Sequence, residues 1–294
     1  MTNNLKNTFF KLISAVIAFT CSLLLIAVLF FMLRESLPVW QMTSPLAFLS
    51  GTDWSPVYPP IHLGIGSMLA STLWVAFGAL IIAIPLALGC AIFLAEYAPE
   101  WLAQLLRPAL TVLTGIPSVV YGFLGAAVLV KFFEIKFQAA SGESLFAASI
   151  VLAFMVLPYI VVNSESAIRA VPPEYKHSAL AVGVSKPYVT MKVIVPLAKK
   201  GVLGSIALAF GRAAGETMAV LMIAGNVLRF PGSWFSRGEP LSALIALEIG
   251  SAAPHSLHYQ ALFAVGLVLI LVVTIINISI NYLVKNKEMS RYWL

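Results

Sequence analysis

Two opposite charges stand four residues apart inside an apolar run, Ala209–Asn226, that reads AFGRAAGETMAVLMIAGN. An arginine at the centre of a membrane helix costs about 2.5–3.5 kcal/mol on insertion scales, so Arg212 requires a partner or a water-lined cavity. Helical i, i+4 spacing puts Arg212 and Glu216 on one face, within reach of each other. Two uses fit such a pair. It can be an internal ion pair that fixes helix packing, or the polar lining of a path for a charged solute. In the second case Arg212 attracts an anion and Glu216 limits how tightly it is held. Ala207, Gly211, Gly215 and Ala219 repeat every four residues alongside, a small-residue stripe suited to close helix contact.

Other chemistry is scarce. No Lys is followed by Ser or Thr, which excludes a Walker-type phosphate loop, so ATP-driven work needs a partner subunit. Neither G-x-S-x-G nor H-E-x-x-H occurs. His255 and His258 are three apart in a Pro-containing segment without a third ligand; they read as solvated loop histidines, with no metal site. Cys21 and Cys90 sit in apolar runs with no C-x-x-C spacing and read as small packing residues. Nothing here supports an integral membrane enzyme.

The elements that must position Arg212 and Glu216 follow from hydropathy. The 294 residues are 60% hydrophobic and only 10% charged, whereas a soluble domain has about 25% charged residues. The net charge of +6 is scattered between apolar runs and forms no stripe, which argues against nucleic-acid binding. About 20 apolar residues cross a bilayer. Charge-free runs, the fifth interrupted by Arg212 and Glu216, predict six spans, at 12–33, 67–95, 108–130, 144–164, 201–228 and 259–284, within a single multi-pass domain covering 1–294. The first run, at 22 residues, exceeds a signal-peptide core of about 7–15 and lacks an A-x-A-like site, so it reads as a retained helix. With the N-terminus inside, 12 Lys and Arg fall on the cytoplasmic side, from Lys6 and Lys11 to Lys285, Lys287 and Arg291, against 5 outside. The positive-inside rule then puts both termini in the cytoplasm. Pro85, Pro117 and Pro158 fall within spans, and TGIPSVVYGFLG (114–125) reads as a kinked helix. The outer loop GTDWSPVYPPIHLG is expected to lie along the interface.

The longest cytoplasmic segment, about 165–200, predicts two short helices. VPPEYKHSALAVG has prolines at its start, Glu174 in the first turn and Gly183 as its stop. SKPYVTMKVIVP has Ser185 as N-cap and Pro196 beyond its end. The pair is either an interfacial amphipathic hairpin or a docking knob for a cytoplasmic protein.

At this loop the chain resembles the permease subunits of bacterial ABC importers, whose signature is E-A-A, three residues, Gly, nine residues, I-x-L-P. Ser178 and Ala179 match the small residues, Gly183 and Pro196 are thirteen apart, and Val193 and Val195 stand for Ile and Leu. His177 falls where the family has Glu. The blocks FLAEYAPE, LTGIPSVVYGFLG, GRAAGETMAVLMIAGN and LSALIALEIGSA look like successive stretches of the first permease subunit of phosphate-specific importers, in order from about Trp54 onward. The resemblance implies an all-α integral membrane protein with the type I ABC importer permease fold, multi-pass in the bacterial inner membrane. It implies a related second permease subunit, two copies of an ATPase carrying ATP–Mg, and a periplasmic phosphate-binding protein, with no cofactor on this chain. His177, Ser178, Ala179 and Gly183 would couple to the ATPase, and Arg212 and Glu216 would lie on the translocation path. Gly211 and Gly215 are expected to pack helices. The competing expectations are a permease for molybdate or sulfate, and a proton-driven secondary transporter working through Glu216. The lack of an inverted repeat argues against the latter.

Overall fold

The computed structural model describes residues 2–138 and 141–289, without the side chains of 2–8, 281 and 283–289. Arg291 therefore lies outside the described residues, as do the side chains of Lys6, Lys285 and Lys287. The chain opens with α1 (Thr2–Met42), a short α2 (Pro45–Ser50), and a hairpin of β1 (Trp54–Ser55) and β2 (His62–Leu63). Trp54 pairs with Leu63 and Ser55 with His62 in antiparallel register. Next, α3 (Gly66–Ile92) runs into a π-helical turn, Phe93–Tyr97, and is followed by α4 (Glu100–Thr114). After a break, α5 (Ser118–Leu124) continues through a π-helical stretch, Gly125–Val130, into α6 (Lys131–Phe137). Then come α7 (Leu145–Arg169) and α8 (Pro173–Ala181). α9 (Lys186–Val189) passes through a π-helical turn, Thr190–Ile194, into α10 (Val195–Ala214). The last elements are α11 (Met218–Leu221), α12 (Leu241–Glu248) and α13 (Leu257–Met289).

Among the described residues six helical stretches are long and apolar enough to cross a membrane: Phe9–Met42, Gly66–Tyr97, Ser118–Phe137, Leu145–Arg169, Lys186–Ala214 and Leu257–Ile280. The six-span, all-helical architecture matches the sequence expectation, but three spans have other bounds. The first continues past residue 33 because the segment after Arg34 packs rather than turns: Val39 is fully buried and Trp40 stacks edge-on against Phe48 at 5.1 Å. The third begins at Ser118 rather than 108, since Gly115 and Pro117 end one helix and cap the next. TGIPSVVYGFLG is thus a break, not a kink. The fifth begins at Lys186 and stops at Ala214, instead of running from 201 to 228. Pro196 lies inside this helix and not beyond it. It offers no N–H, and the π-helical turn just before it re-spaces the backbone pairing, so the helix passes through.

The core is built on α3 and α7. Ala76, Ala79, Ala83 and Ala87 are fully buried on one face of α3, so that small side chains let it approach α7 closely. A second core at the other end of the molecule joins α1, α2, the hairpin, α12 and α13 around Phe48, Ile65, Met68, Leu241 and Leu262. GTDWSPVYPPIHLG contributes Trp54 to this core and exposes Val57 and Tyr58 at its tip. Where α3 crosses the loop before α12, a Cβ on Gly78 would run into the Trp234 ring and the Ser149 hydroxyl, which are themselves hydrogen-bonded at 3.1 Å. Gly78→Val should therefore cost about 1–3 kcal/mol, read as a lower melting temperature in detergent. Gly89→Ala, with nothing within 4 Å of the added carbon, should leave it unchanged.

Candidate functional site

The contacts of α7 set the depth of the charged site. Ser164 and Ser205 share a hydrogen bond at 2.8 Å, with α7 and α10 antiparallel. Arg212, seven residues beyond Ser205, is therefore level with Leu157, the middle residue of α7. α10 ends two residues later, capped by Gly215. On the other side, Gly125 packs against Val151 of α7 and Ile223, which makes Ser118 level with Pro158. The breaks at 115–117 and 215–217 thus share one level, the depth of Arg212. Gly122 lies against the backbone of Ala219, so α5 and α11 pack directly.

Arg212 is exposed on the surface of this chain. Among the described residues its guanidinium makes no hydrogen bond or ion pair; the Tyr121 phenol lies within range of its charge. Tyr121 donates its hydroxyl hydrogen to the Leu113 carbonyl at 3.1 Å, across the first break. Glu216 is half-buried and does not pair with Arg212. The expectation of both charges on one helix face is corrected: the helix stops at Ala214, and Glu216 belongs to the turn after it. There one carboxylate oxygen accepts the Ala219 N–H at 3.4 Å, while its carbonyl accepts the Ser242 hydroxyl at 2.7 Å. The same stop divides the small-residue stripe. Gly211 faces Val273 and Asn277 of α13, Ala219 meets Gly122, and a Cβ on Gly215 would meet only the Gly211 carbonyl of its own turn.

In the segment between the fourth and fifth spans α8 has no buried residue, and His177 and Ser178 are exposed along it while Ala179 packs partly against the core. Gly183 takes φ +81°, a conformation side chains rarely adopt, and so ends α8 where the sequence placed its stop. Ser185 occupies the N-cap position of α9, without a capping side-chain bond. Tyr175, Leu180 and Val182 expose apolar surface around this knob. Contacts that the sequence did not reveal hold it. Lys176 pairs at 2.5 Å with Glu96, whose side chain is largely covered, Lys186 lies over the Tyr97 ring at 4.8 Å, and the Tyr97 and Thr190 hydroxyls meet at 3.3 Å. Nearby, the buried Glu165 binds Arg107 at 2.7 Å and Arg169 at 3.4 Å. FLAEY carried Glu96 and Tyr97 in plain view, but their partners lie 80 or more residues away.

The outer core holds a third polar group. His258 Nε2 lies 2.7 Å from Glu248, which also accepts the Trp54 indole N–H at 3.0 Å, so His258 is a half-buried partner and not a solvated loop residue. His255 remains largely exposed, 3.4 Å from Glu35. Glu239 is buried at the start of α12.

Over residues 83–288 the sequence matches the family described as binding-protein-dependent transport system inner membrane component. The chain belongs to this family. As a permease it is 37% identical over 253 residues to the phosphate transport system permease protein PstC of Pasteurella multocida, covering 80% of this chain and 78% of that one. It is 33% identical over 303 residues to PstC of Haemophilus influenzae, covering 96% and 94%. Against the probable ABC transporter permease protein YqgH of Bacillus subtilis the figures are 34% over 245 residues, 83% and 79%. The permease also superposes on a chain of the bacterial alginate ABC transporter, with a TM-score of 0.64 at 13% identity over 92% of this chain and 93% of that one. For an inward-facing MetNI methionine ABC transporter the TM-score is 0.57 at 17% identity, over 83% and 98%. The fold is that of type I ABC importer permeases, in a multi-pass membrane protein that is no enzyme by family.

Burial, with the Glu248 carboxylate second, pushes the Glu239 carboxyl up from 4.5 to about 7. A raised folded-state value favours the protonated form, so Glu239 stabilises the permease fully below about pH 4.5 and loses that contribution as the pH rises through about 7. The melting temperature of the purified protein should fall from pH 5 to 8 by an amount that Glu239→Gln removes.

Proposed function

We propose that this permease is the membrane subunit through which an ATP-driven importer passes inorganic phosphate, forming half of the pathway and working by alternating access. The observation that carries the proposal is the unpaired Arg212 at mid-depth, beside two broken helices. Irregular backbone at that depth is tolerated where it lines a water-filled cavity, and an anion in such a cavity is what relieves a lone guanidinium. The relatives named as phosphate transport permeases supply the identity of the anion. Glu216, fixed in the turn by Ala219 and Ser242, adds negative charge near the path and keeps the anion from being held too tightly.

The other half of the pathway comes from a related second permease subunit. The energy comes from a homodimeric ATPase that holds ATP–Mg, this chain binding no cofactor, and the cargo arrives on a periplasmic phosphate-binding protein. The assembly sits in the bacterial inner membrane, with both termini of this chain in the cytoplasm. That orientation puts α8 on the same side as Arg107, Arg169, Lys176, Lys186 and Lys192, as the positive-inside rule requires. α8 and Gly183, with His177, Ser178 and Ala179, form the knob that enters the ATPase. ATP binding closes the motor dimer, the knob carries that movement to the helices, and hydrolysis resets them.

The test is uptake of labelled phosphate, with molybdate and sulfate in parallel, into vesicles holding all four components, with and without ATP. ATP-dependent entry of phosphate alone is expected; entry of another anion, or entry without ATP, overturns the cargo or the motor. Arg212→Gln should reduce uptake to background while the complex still assembles, and normal uptake would remove Arg212 from the path. Deleting residues 172–183 should release the ATPase, and its retention in a pull-down would refute the docking role.

A further inference from the structure

Resting on the reading of α8 as the motor dock, we propose that α3 is the element that carries its movement to the broken middle of the molecule, with Glu96 and Tyr97 as positioning residues at the receiving end. The inner end of α3 and its π-helical turn hold the dock from behind. Glu96, with its side chain 7% exposed, pairs with Lys176 on α8; Tyr97 takes Lys186 on its ring and Thr190 on its hydroxyl. These three contacts reach both sides of the Gly183 turn, so the knob cannot tilt without moving Glu96 or Tyr97. The two π-helical turns, Phe93–Tyr97 and Thr190–Ile194, face each other across the Tyr97–Thr190 contact. Such turns interrupt a helix locally and are frequent at functional sites.

The outer end of α3 holds the other half of the connection. Thr72 accepts the Leu241 N–H at 2.9 Å, and the next residue, Ser242, is the one whose hydroxyl binds the Glu216 carbonyl at 2.7 Å. From Thr72 to Glu96 is 24 residues, roughly 36 Å of helix. The alanine face of α3, locked against α7, keeps the two ends in register. A physical line therefore runs from the dock, through Glu96 and Tyr97, along α3 to Thr72, and back through Ser242 to the turn that carries Glu216. Intermediacy alone does not establish coupling; paired substitutions do.

The experiment uses the complete assembly in vesicles. It reads phosphate moved per ATP hydrolysed, together with the ATP-driven change in distance between spin labels at Val57 and Phe235, both exposed on the outer face. Glu96→Gln and Lys176→Met should each lower phosphate per ATP at least about fivefold and suppress the distance change, with the ATPase still co-purifying. The swap of Glu96→Lys with Lys176→Glu should restore both. Tyr97→Phe removes the Thr190 contact without unpairing a buried charge, and should give a smaller loss in the same direction even if Glu96→Gln fails to accumulate. An unchanged ratio and an unchanged distance response in the single variants overturn the proposal, as does a swap that stays uncoupled. If the unsubstituted assembly opens on ATP but moves no phosphate, and Glu96→Gln stops the opening, the reading of the cargo fails while the α3 connection stands. If the unsubstituted assembly shows neither response to ATP, both fall.

Discussion

The Ser242 hydroxyl binds the Glu216 carbonyl at 2.7 Å, and the course of the chain after α10 depends on that kind of contact. A backbone group without a partner costs several kcal/mol in hydrocarbon, so a helix that stops half-way across a membrane must have its loose ends satisfied by other protein. The segment 215–240 folds back to do so. Ser242 serves Glu216, the Ile223 carbonyl accepts the Ser144 N–H, and the Trp234 and Ser236 carbonyls accept the N–H groups that open α7. The break is therefore not a loose region. It is fastened to the first turn of α7, and Gly78 is small because Trp234 must lie across α3 to complete the fastening.

Several carboxylates elsewhere in the molecule obey the opposite rule from Arg212. Glu96 has Lys176, Glu165 has Arg107 and Arg169, and Glu248 has His258, each carboxylate meeting its partner within hydrogen-bonding distance. Those pairs sit at the two ends of the bundle, where the chain changes direction. Removing one partner of such a pair leaves a buried charge uncompensated, which is strongly destabilising, so they act as fixed joints. Arg212 has the phenol of Tyr121 within range of its charge, makes no ion pair among the described residues, and lies on an open face. A guanidinium resting against lipid is costly, which is why the proposed function sets this face on a water-lined path.

How much of this was legible in the sequence follows from what hydrocarbon does and does not select. Apolar runs marked six spans because lipid enforces composition along about 20 residues. Helix ends are chosen by other forces and were misplaced. Lys186–Lys200 continues the fifth helix outside the apolar run, where hydropathy carries no signal, and Gly215 resembles its stripe partner Gly211 although one ends the helix and the other packs on α13. Arg212 was legible as an anomaly, since nothing else in the composition explains a charge there. Its separation from Glu216 was not, because i, i+4 spacing means proximity only while the helix lasts. The Glu96, Tyr97 and Thr190 contacts were hidden for a different reason: they join segments distant in sequence, and only the packing of α3 on α7 brings them together.

The level of Arg212 is also where the surrounding helices lose regular backbone pairing. Gly78 lies beside Ser149, which makes Pro85 of α3 level with Val156 of α7. Pro158 is two residues further on, and the breaks at 115–117 and 215–217 fall in the same layer. A proline inside a helix leaves the carbonyl four residues earlier without its donor, here those of Ile81 and Phe154. Above this layer the helices are tied by Trp234 and Thr72, and below it by Ser164 with Ser205 and Arg107 with Glu165. A bundle held firmly at both ends and weakly paired in the middle bends most easily at that middle. Arg212, without a hydrogen bond or ion pair among the described residues, stands at the same depth, so under the proposed function a tilt of the lower half against the upper half would change which side of the membrane can reach it.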